Sequence, residues 1–140
     1  MKVVNALLTQ IDKLKHRKNA LVITTSNITG AIDDAFIDRA DIKQYIGLPS
    51  QNAIEKILET CIEELMKTNL IEGEIIPGEL SNVALRCQEK QLSGRSLRKL
   101  PLLAYSQYVD PSISLDGKPN AISVTMMIEA MSLTLDTSFE

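Results

Sequence analysis

Aromatic side chains are scarce in this sequence of 140 residues, which has three Tyr, two Phe and no Trp. Proteins that bind single-stranded nucleic acids stack the bases on aromatic side chains, so this composition disfavours that role. Histidine occurs once and cysteine twice, without CxxC or Cys/His spacing, which argues against a zinc motif and a disulfide framework. We expect Cys61 and Cys87 to pack in the core of a protein from a reducing compartment.

Motifs for independent catalysis are also missing. The sequence contains no GxxxxGK[ST] loop to hold phosphates, no GxGxxG turn and no GxSxG elbow. Its longest apolar runs are far shorter than the roughly 20 residues that span a bilayer, and its first residues lack the apolar h-region of a secretory signal. The net charge of −3 lacks the basic surplus of a dedicated DNA or RNA binder. We therefore expect no membrane span, no direct nucleic-acid contact and no self-sufficient active site.

The first 47 residues combine helix and strand patterns. Apolar residues at helical spacing predict a helix over 3–15, which ends in a basic stretch over 13–18. We interpret those cations as complementing the helix C-terminus, and contact with a polyanion, as in a nucleic-acid adaptor, is the alternative. Two short apolar runs, 20–25 and 42–46, predict strands of a parallel sheet that is covered on both faces, with a short helix over 33–38 between them.

Helical periodicity dominates after the break at Gly47–Pro49. Either Ser50 or Asn52 can cap the first long helix, which has apolar residues from Ile54 to Leu65 at helical spacing. Further helices are predicted over 79–91, 94–108 and 125–137, a strand over 122–124, and loops over 69–78 and 110–120. We expect Thr125 to cap the last helix, and Met126, Met127 and Met131 to pack in the core.

Three polar features stand out against this background. Asn27 follows a predicted strand at its carboxyl end, where open α/β sheets bind ligands, although an Asn there also caps turns. Arg39 follows a short acidic helix, and a guanidinium can neutralise charge on a transferred phosphoryl group. The alternative interpretation of Arg39 is that it forms a salt bridge to Asp38 or Asp41. Arg95 opens a helix, whose N-terminus favours an anion.

The order of these motifs resembles an AAA+ ATPase. The segments are VVNALLTQID (3–12), TTSN (24–27), DDAFIDRADIKQYIG (33–47), GLPS (47–50) and LSGRSLRKLP (92–101). The first segment and the phrase DRADIKQYIG are similar to the pachytene checkpoint family, also called the thyroid hormone receptor interactor thirteen family. The resemblance implies a fold class of α/β followed by mostly α, with residues 1–47 ending the large AAA+ subdomain and residues 48–140 forming the helical lid.

The resemblance also implies roles for the three residues. Asn27 matches the sensor-one position, which positions the attacking water, and Arg39 matches the loop that supplies an arginine finger to the neighbouring subunit. Arg95 matches the sensor-two arginine of the lid, although Arg98 and Lys99 follow closely enough to be confused with it. Many AAA+ relatives carry two arginines in the finger loop, whereas this sequence has one.

Members of this family form rings, usually hexamers, that remodel HORMA-domain proteins together with an adaptor in the nucleus, on chromosomes, and in the cytoplasm. They use ATP and Mg²⁺, and the resemblance places their phosphate-binding loop and magnesium-holding strand before residue 1. The expectation is a C-terminal fragment that holds neither ATP nor a metal by itself. The alternative is a non-catalytic interaction module that docks on a partner or on a ring subunit.

Overall fold

The computed structural model describes residues 2–27, 32–109 and 121–138, which form six helices and two short strands. Contacts divide the chain into two compact units, Met1–Ile46 and Gly47–Glu140. The predicted loop over 110–120 lies outside the described residues. The elements are α1 (Lys2–Lys15), α2 (Asp34–Ile37), α3 (Gln51–Lys67), β1 (Ile71–Glu72), α4 (Ser81–Glu89), α5 (Gly94–Tyr108), β2 (Ile122–Ser123) and α6 (Val124–Ser138).

The second unit is organised around the apolar faces of its four helices. Each helix carries apolar residues three or four positions apart, which places them on one face. α5 packs along α6, and α3 lies against both α4 and α5. The side chains that these helices bury almost completely are Ile54, Leu58, Ile62, Val83, Cys87, Leu97, Leu100, Ala104, Met127, Met131 and Leu135.

Serine side chains cap the N-termini of α3 and α5. The Ser50 hydroxyl accepts a hydrogen bond from the backbone N–H of Ala53 at 3.4 Å, and Ser93 accepts one from Ser96 at 3.3 Å. Each bond satisfies one of the N–H groups that a helix N-terminus leaves without an intrahelical partner. The prediction that Ser50 can cap α3 is therefore confirmed.

The cap of α6 differs from the prediction. The helix begins at Val124, and the hydroxyl of Ser123 accepts a hydrogen bond from the N–H of Met126 at 3.2 Å. Thr125 lies within the first turn, where its hydroxyl donates to Glu79 at 3.2 Å. The predicted Thr125 cap is wrong because the helix already begins at Val124, which gives the capping position to Ser123, two residues earlier.

A short parallel ladder joins two distant parts of the second unit. Ile71 pairs with Ile122 and Glu72 pairs with Ser123, and the N–H of Ile122 donates to the carbonyl of Leu70 at 3.1 Å. The strand predicted over 122–124 is confirmed for its first two residues. β1 falls in the predicted loop over 69–78, because a two-residue strand is too short to show a periodic pattern.

Arg86 links α4 to α6 through polar contacts at the surface of the second unit. Its Nη1 donates to the carbonyl of Ser132 at 3.2 Å and to the hydroxyl of the same residue, and its Nη2 pairs with Asp136. Inside the core, the buried hydroxyl of Thr134 donates to the carbonyl of Ala130 at 2.8 Å. The buried hydroxyl therefore has a hydrogen-bond partner within its own helix.

The residues predicted to pack in the core do so in part. Cys87 is fully buried, whereas Cys61 is only half-buried. Met127 and Met131 lie one helical turn apart on the buried face of α6, but Met126 is 54% exposed. The prediction for Met126 is wrong because a step of one residue turns the side chain by about 100° around the helix.

The first unit has far less of a core. Among its described residues Leu8 is buried, whereas Leu7 and Leu14 of the same helix are 52% and 39% exposed. The strands predicted over 20–25 and 42–46 are not formed, and both segments lack ladder pairing. Their apolar side chains face solvent, with Leu21 at 85% and Ile46 at 86% exposure.

These two predictions fail because a strand needs a hydrogen-bonded neighbour. An apolar, β-branched segment gains its stability from cross-strand pairs and from covered faces. Within residues 2–27 and 32–46 no other segment pairs with either run. The sequence pattern correctly shows a composition typical of strands, but no strand forms because neither segment has a paired neighbour among the described residues.

None of the described helices is long and apolar enough to cross a bilayer.

The two thiols should differ in reactivity. Burial raises the pKa of Cys87 from 9.0 to about 11, so at pH 8 its thiolate fraction is about a hundredfold below that of an ordinary thiol. The chain is treated with a disulfide reagent that reacts with thiolates, and the labelled peptides are identified by mass spectrometry. Cys61 should be modified first, and Cys87 only as the pH approaches 11 or the chain unfolds. Equal labelling rates at pH 8 would contradict the burial of Cys87.

The two units should also differ in resistance to proteolysis. We expect brief digestion to remove the first unit and to leave a fragment that begins near Gly47, because cleavage requires local opening and only the second unit has an extensive core. Leu58→Ala should abolish the protected fragment, since truncating a fully buried Leu costs about 2–5 kcal/mol. Leu102→Ala, at a position that is 63% exposed, is the matched control and should retain it.

Candidate functional site

Arg39 lies just beyond α2, a helix of one turn with a defined start. The Asp33 side chain caps this helix by accepting a hydrogen bond from the N–H of Ala35 at 2.9 Å. The turn continues past the helix, and the N–H of Arg39 donates to the carbonyl of Phe36 at 3.2 Å. The acidic start and the following turn thus place the backbone of Arg39 six residues after the Asp33 cap.

Three hydrogen bonds fix the guanidinium group of Arg39. Its Nε donates to Oδ1 of Asp12 at 2.8 Å, and its Nη2 donates to Oδ2 at 3.0 Å. Its Nη1 donates to the carbonyl of Ala35 at 2.8 Å. The two bonds to Asp12 form a bidentate fork between guanidinium and carboxylate, a geometry that Lys cannot reproduce.

Charge and hydrogen bonding keep this pair ionised. The hydrogen bonds from Arg39 lower the pKa of Asp12, and the positive charge of Lys15 acts in the same direction. The reciprocal hydrogen bond raises the pKa of Arg39. The side chains of Asp12 and Arg39 are 47% and 33% exposed, so the guanidinium is oriented by protein groups while part of it still meets solvent.

The salt bridge considered in the sequence is therefore formed, but with a different partner. Arg39 pairs with Asp12, which lies on α1, and neither Asp38 nor Asp41 takes that place. Asp41 lies 4.0 Å from Lys15 instead. Sequence reasoning missed Asp12 because 27 positions separate it from Arg39. The sequence did offer one signal for Asp12: it is an acidic residue next to the basic residues Lys13 and Lys15 in the last turn of α1.

Asn27 is exposed at the end of the segment over 20–27. It belongs to the same unit as Arg39, but the hydrogen bonds of the guanidinium go to Asp12 and Ala35. Since the preceding segment is not a strand here, the position of Asn27 at a strand end is not formed in this structure. Its role as a sensor stays a prediction.

Arg95 belongs to the second unit and lies in the first turn of α5. Ser93 caps that turn, and Leu97 and Leu100 anchor the helix in the core. Arg95 is exposed, and so is Arg98 in the next turn. Both cations lie near the positive end of the helix dipole, where an anion is favoured, and Arg95 is the one nearer the cap.

The described residues offer positive charge for an anion but no metal centre. In the ranges 2–27, 32–109 and 121–138, no three His, Cys, Asp or Glu side chains lie close enough to hold a metal ion. The guanidinium groups of Arg39 and Arg95 bind phosphate oxygens well, and neither loses its charge at neutral pH. The chemistry available to these two groups is charge neutralisation and orientation of a phosphate.

Two protein families match the chain in succession. Residues 1–48 match the ATPase family associated with various cellular activities (AAA), and residues 76–139 match the TRIP13-like AAA+ ATPase lid C-terminal domain. The first match contains Asn27 and Arg39, and the second contains Arg95.

Individual relatives carry the same name. The chain is 45% identical to the mouse Pachytene checkpoint protein 2 homolog and 44% identical to the human one, each over 100% of this chain and 35% of the relative. The Arabidopsis thaliana homologue is 42% identical over 79% of the chain and 30% of its own length. The chain therefore spans about a third of the length of these relatives.

A solved structure agrees with the sequence matches. The structure of C. elegans PCH-2 superimposes with a TM-score of 0.68 and 29% identity, covering 95% of this chain and 38% of that one. The fold class predicted from the sequence, an AAA+ α/β segment followed by a helical lid, is thereby confirmed. The chain belongs to the pachytene checkpoint family of AAA+ ATPases and corresponds to part of the AAA+ domain together with the C-terminal lid.

Proposed function

We propose that this chain supplies the nucleotide-responsive end of an AAA+ ring that uses ATP hydrolysis to remodel HORMA-domain proteins. In this proposal residues 1–47 complete the large AAA+ subdomain, and residues 48–140 are its lid. The complete protein is a homo-hexamer that works with an adaptor in meiotic chromosome and spindle-checkpoint control, in the nucleus and in the cytoplasm. The observation that carries the proposal is the oriented, part-exposed guanidinium of Arg39 within the AAA-matching segment.

Each candidate residue has a distinct task in this mechanism. Arg39 reaches the nucleotide of the neighbouring subunit and neutralises charge that develops on the γ-phosphoryl group. Asn27 orients the attacking water through its side-chain amide. Arg95 binds the nucleotide of its own subunit from the lid. The bound nucleotide with Mg²⁺ supplies the phosphoanhydride bond that is hydrolysed.

The exposed guanidinium groups are suited to bind the phosphate groups of ATP, but they are not ligands for its Mg²⁺ ion. Arg95 lies at a helix N-terminus, where backbone N–H groups also face an anion, and Arg39 retains part of its surface for a ligand. No carboxylate cluster for Mg²⁺ occurs in the described ranges. We infer that phosphate cradling and metal binding are provided by other residues of the complete protein.

Binding without catalysis is the second candidate function. The exposed apolar side chains of Leu21, Ile23, Ile42 and Ile46 favour docking of the first unit on another protein surface. This role and the first one differ in whether Arg39 affects ATP turnover. A role as nucleic-acid adaptor depends only on the basic stretch over 13–18, where Lys15 already approaches Asp41.

Removing the guanidinium should abolish hydrolysis but not nucleotide binding. The suitable host is a chimera in which this chain replaces the matching segment of the mouse relative. Arg39→Ala should lower kcat by about 10³–10⁵, the range known for arginine fingers, while the Kd for ATP stays within about twofold. Lys43→Ala removes an exposed cation from the same unit and serves as the control. Unchanged turnover in Arg39→Ala would reject the finger and favour the interaction module.

The 140-residue chain alone should release no phosphate from ATP above the rate of a blank. It carries groups that orient a nucleotide but no phosphate-binding loop in its sequence. The measurement is phosphate release by the purified chain, with Arg39→Ala and Asn27→Ala prepared in parallel to recognise contaminating ATPases. Turnover that is present in the parent chain and lost in both variants would contradict this prediction.

A further inference from the structure

Counting bonds to the residues that the structure describes, the guanidinium of Arg39 has two donors left. An arginine carries five N–H groups, one on Nε and two on each terminal nitrogen. Asp12 takes the Nε donor and one donor of Nη2, and Ala35 takes one donor of Nη1. One N–H therefore remains on each terminal nitrogen. Such a pair of donors suits two oxygens of a phosphate or carboxylate.

We propose that Asp12 is the positioning residue for Arg39, holding the guanidinium so that its two remaining donors face a phosphoryl group. This inference rests on the proposed function of Arg39 as a finger for a neighbouring nucleotide. Asp12 itself touches no substrate in this account and acts only through Arg39.

The fork restrains a side chain that is otherwise flexible. Arg has many rotamers, and a catalytic group that is held in its working orientation avoids losing that freedom during the reaction. The restraint comes from two separate elements, since Asp12 is on α1 and Ala35 is on α2. Three bonds from two directions fix both the position and the plane of the guanidinium.

The charges around the pair support a permanent restraint. Lys15, the last residue of α1, and the guanidinium itself both favour the ionised form and lower the pKa of Asp12. Asp33 and Asp38 flank α2 and favour the charged form of Arg39. Both partners of the fork are therefore ionised throughout the neutral pH range.

The opposite role, in which Asp12 withholds Arg39 from its target, makes a different prediction. A withholding carboxylate would occupy the donors that the target needs, and its removal would raise turnover. Here the contacts of the described residues leave two donors unused, and a third of the Arg39 side chain is exposed. These observations favour positioning, and the sign of the change in kcat separates the two roles.

The first test uses the 140-residue chain itself and reads the restraint directly. In NMR spectra, the Nε–H of Arg39 should exchange with water at least about tenfold faster in Asp12→Asn than in the parent chain, because it loses a charged acceptor. Asp41→Asn removes a nearby carboxylate that does not bond Arg39 and should leave the exchange rate unchanged. An unchanged rate in Asp12→Asn would overturn the proposal.

The second test reads catalysis in the chimera described above. Asp12→Asn should lower kcat by about 10- to 100-fold, the scale of a misplaced catalytic group, with the KM for ATP within about twofold. Asp12→Glu restores a carboxylate and should recover part of the loss. The double variant Asp12→Asn with Arg39→Ala should be no slower than Arg39→Ala alone, because Asp12 acts only through the arginine.

The outcomes separate this inference from the proposed function. If Arg39→Ala abolishes turnover and Asp12→Asn does not change it, the finger stands and positioning by Asp12 is wrong. A loss in Asp12→Asn that adds to the loss in Arg39→Ala indicates a separate structural role and also overturns positioning. Faster turnover in Asp12→Asn shows a withholding contact. Normal turnover in Arg39→Ala removes both proposals.

Discussion

Burial of one apolar face from each of four helices holds the second unit together, and the position of Arg95 depends on it. Leu97 and Leu100 fix α5 in the core, so the first turn of that helix and its Ser93 cap lie at the surface. An arginine in that turn is presented to solvent by a rigid element. Dispersion and the hydrophobic effect thus provide the geometry on which an anion contact depends.

The first unit uses a different kind of constraint. Its described residues bury little apolar surface, and its most specific tertiary contact is the fork between Asp12 and Arg39. A part-exposed ion pair contributes little to stability, but its bidentate geometry defines direction well. The pair therefore matters more for where the guanidinium points than for how stably the unit folds.

Family membership and residue geometry support the same division of labour. The AAA-matching segment carries Asn27 and Arg39, and the lid-matching segment carries Arg95. All three residues are polar, and the described ranges contain no cluster of His, Cys, Asp and Glu side chains that could hold a metal ion. Under our proposal, a chain that spans about a third of its relatives holds groups that respond to a nucleotide, and the cradle for that nucleotide belongs to other residues.

Local pattern was sufficient for the helices and for recognising the family. The 3.6-residue periodicity predicted α5 over its observed range, Gly94–Tyr108, because a helix forms its hydrogen bonds within its own segment. The cap of α6 was predicted two residues too late, at Thr125 instead of Ser123, and a step of one residue separates the exposed Met126 from the buried Met127. The candidate residues could be named from their motifs, although their roles stay predictions.

Tertiary structure decided everything that depends on a distant partner. The runs over 20–25 and 42–46 have strand composition, yet they form no ladder, since pairing requires a second segment that the pattern itself does not specify. β1 was invisible for the same reason, because its partner lies about 50 positions away. Asp12 became a functional candidate only when the fold brought its carboxylate to Arg39, a contact between residues 27 positions apart that no local rule encodes.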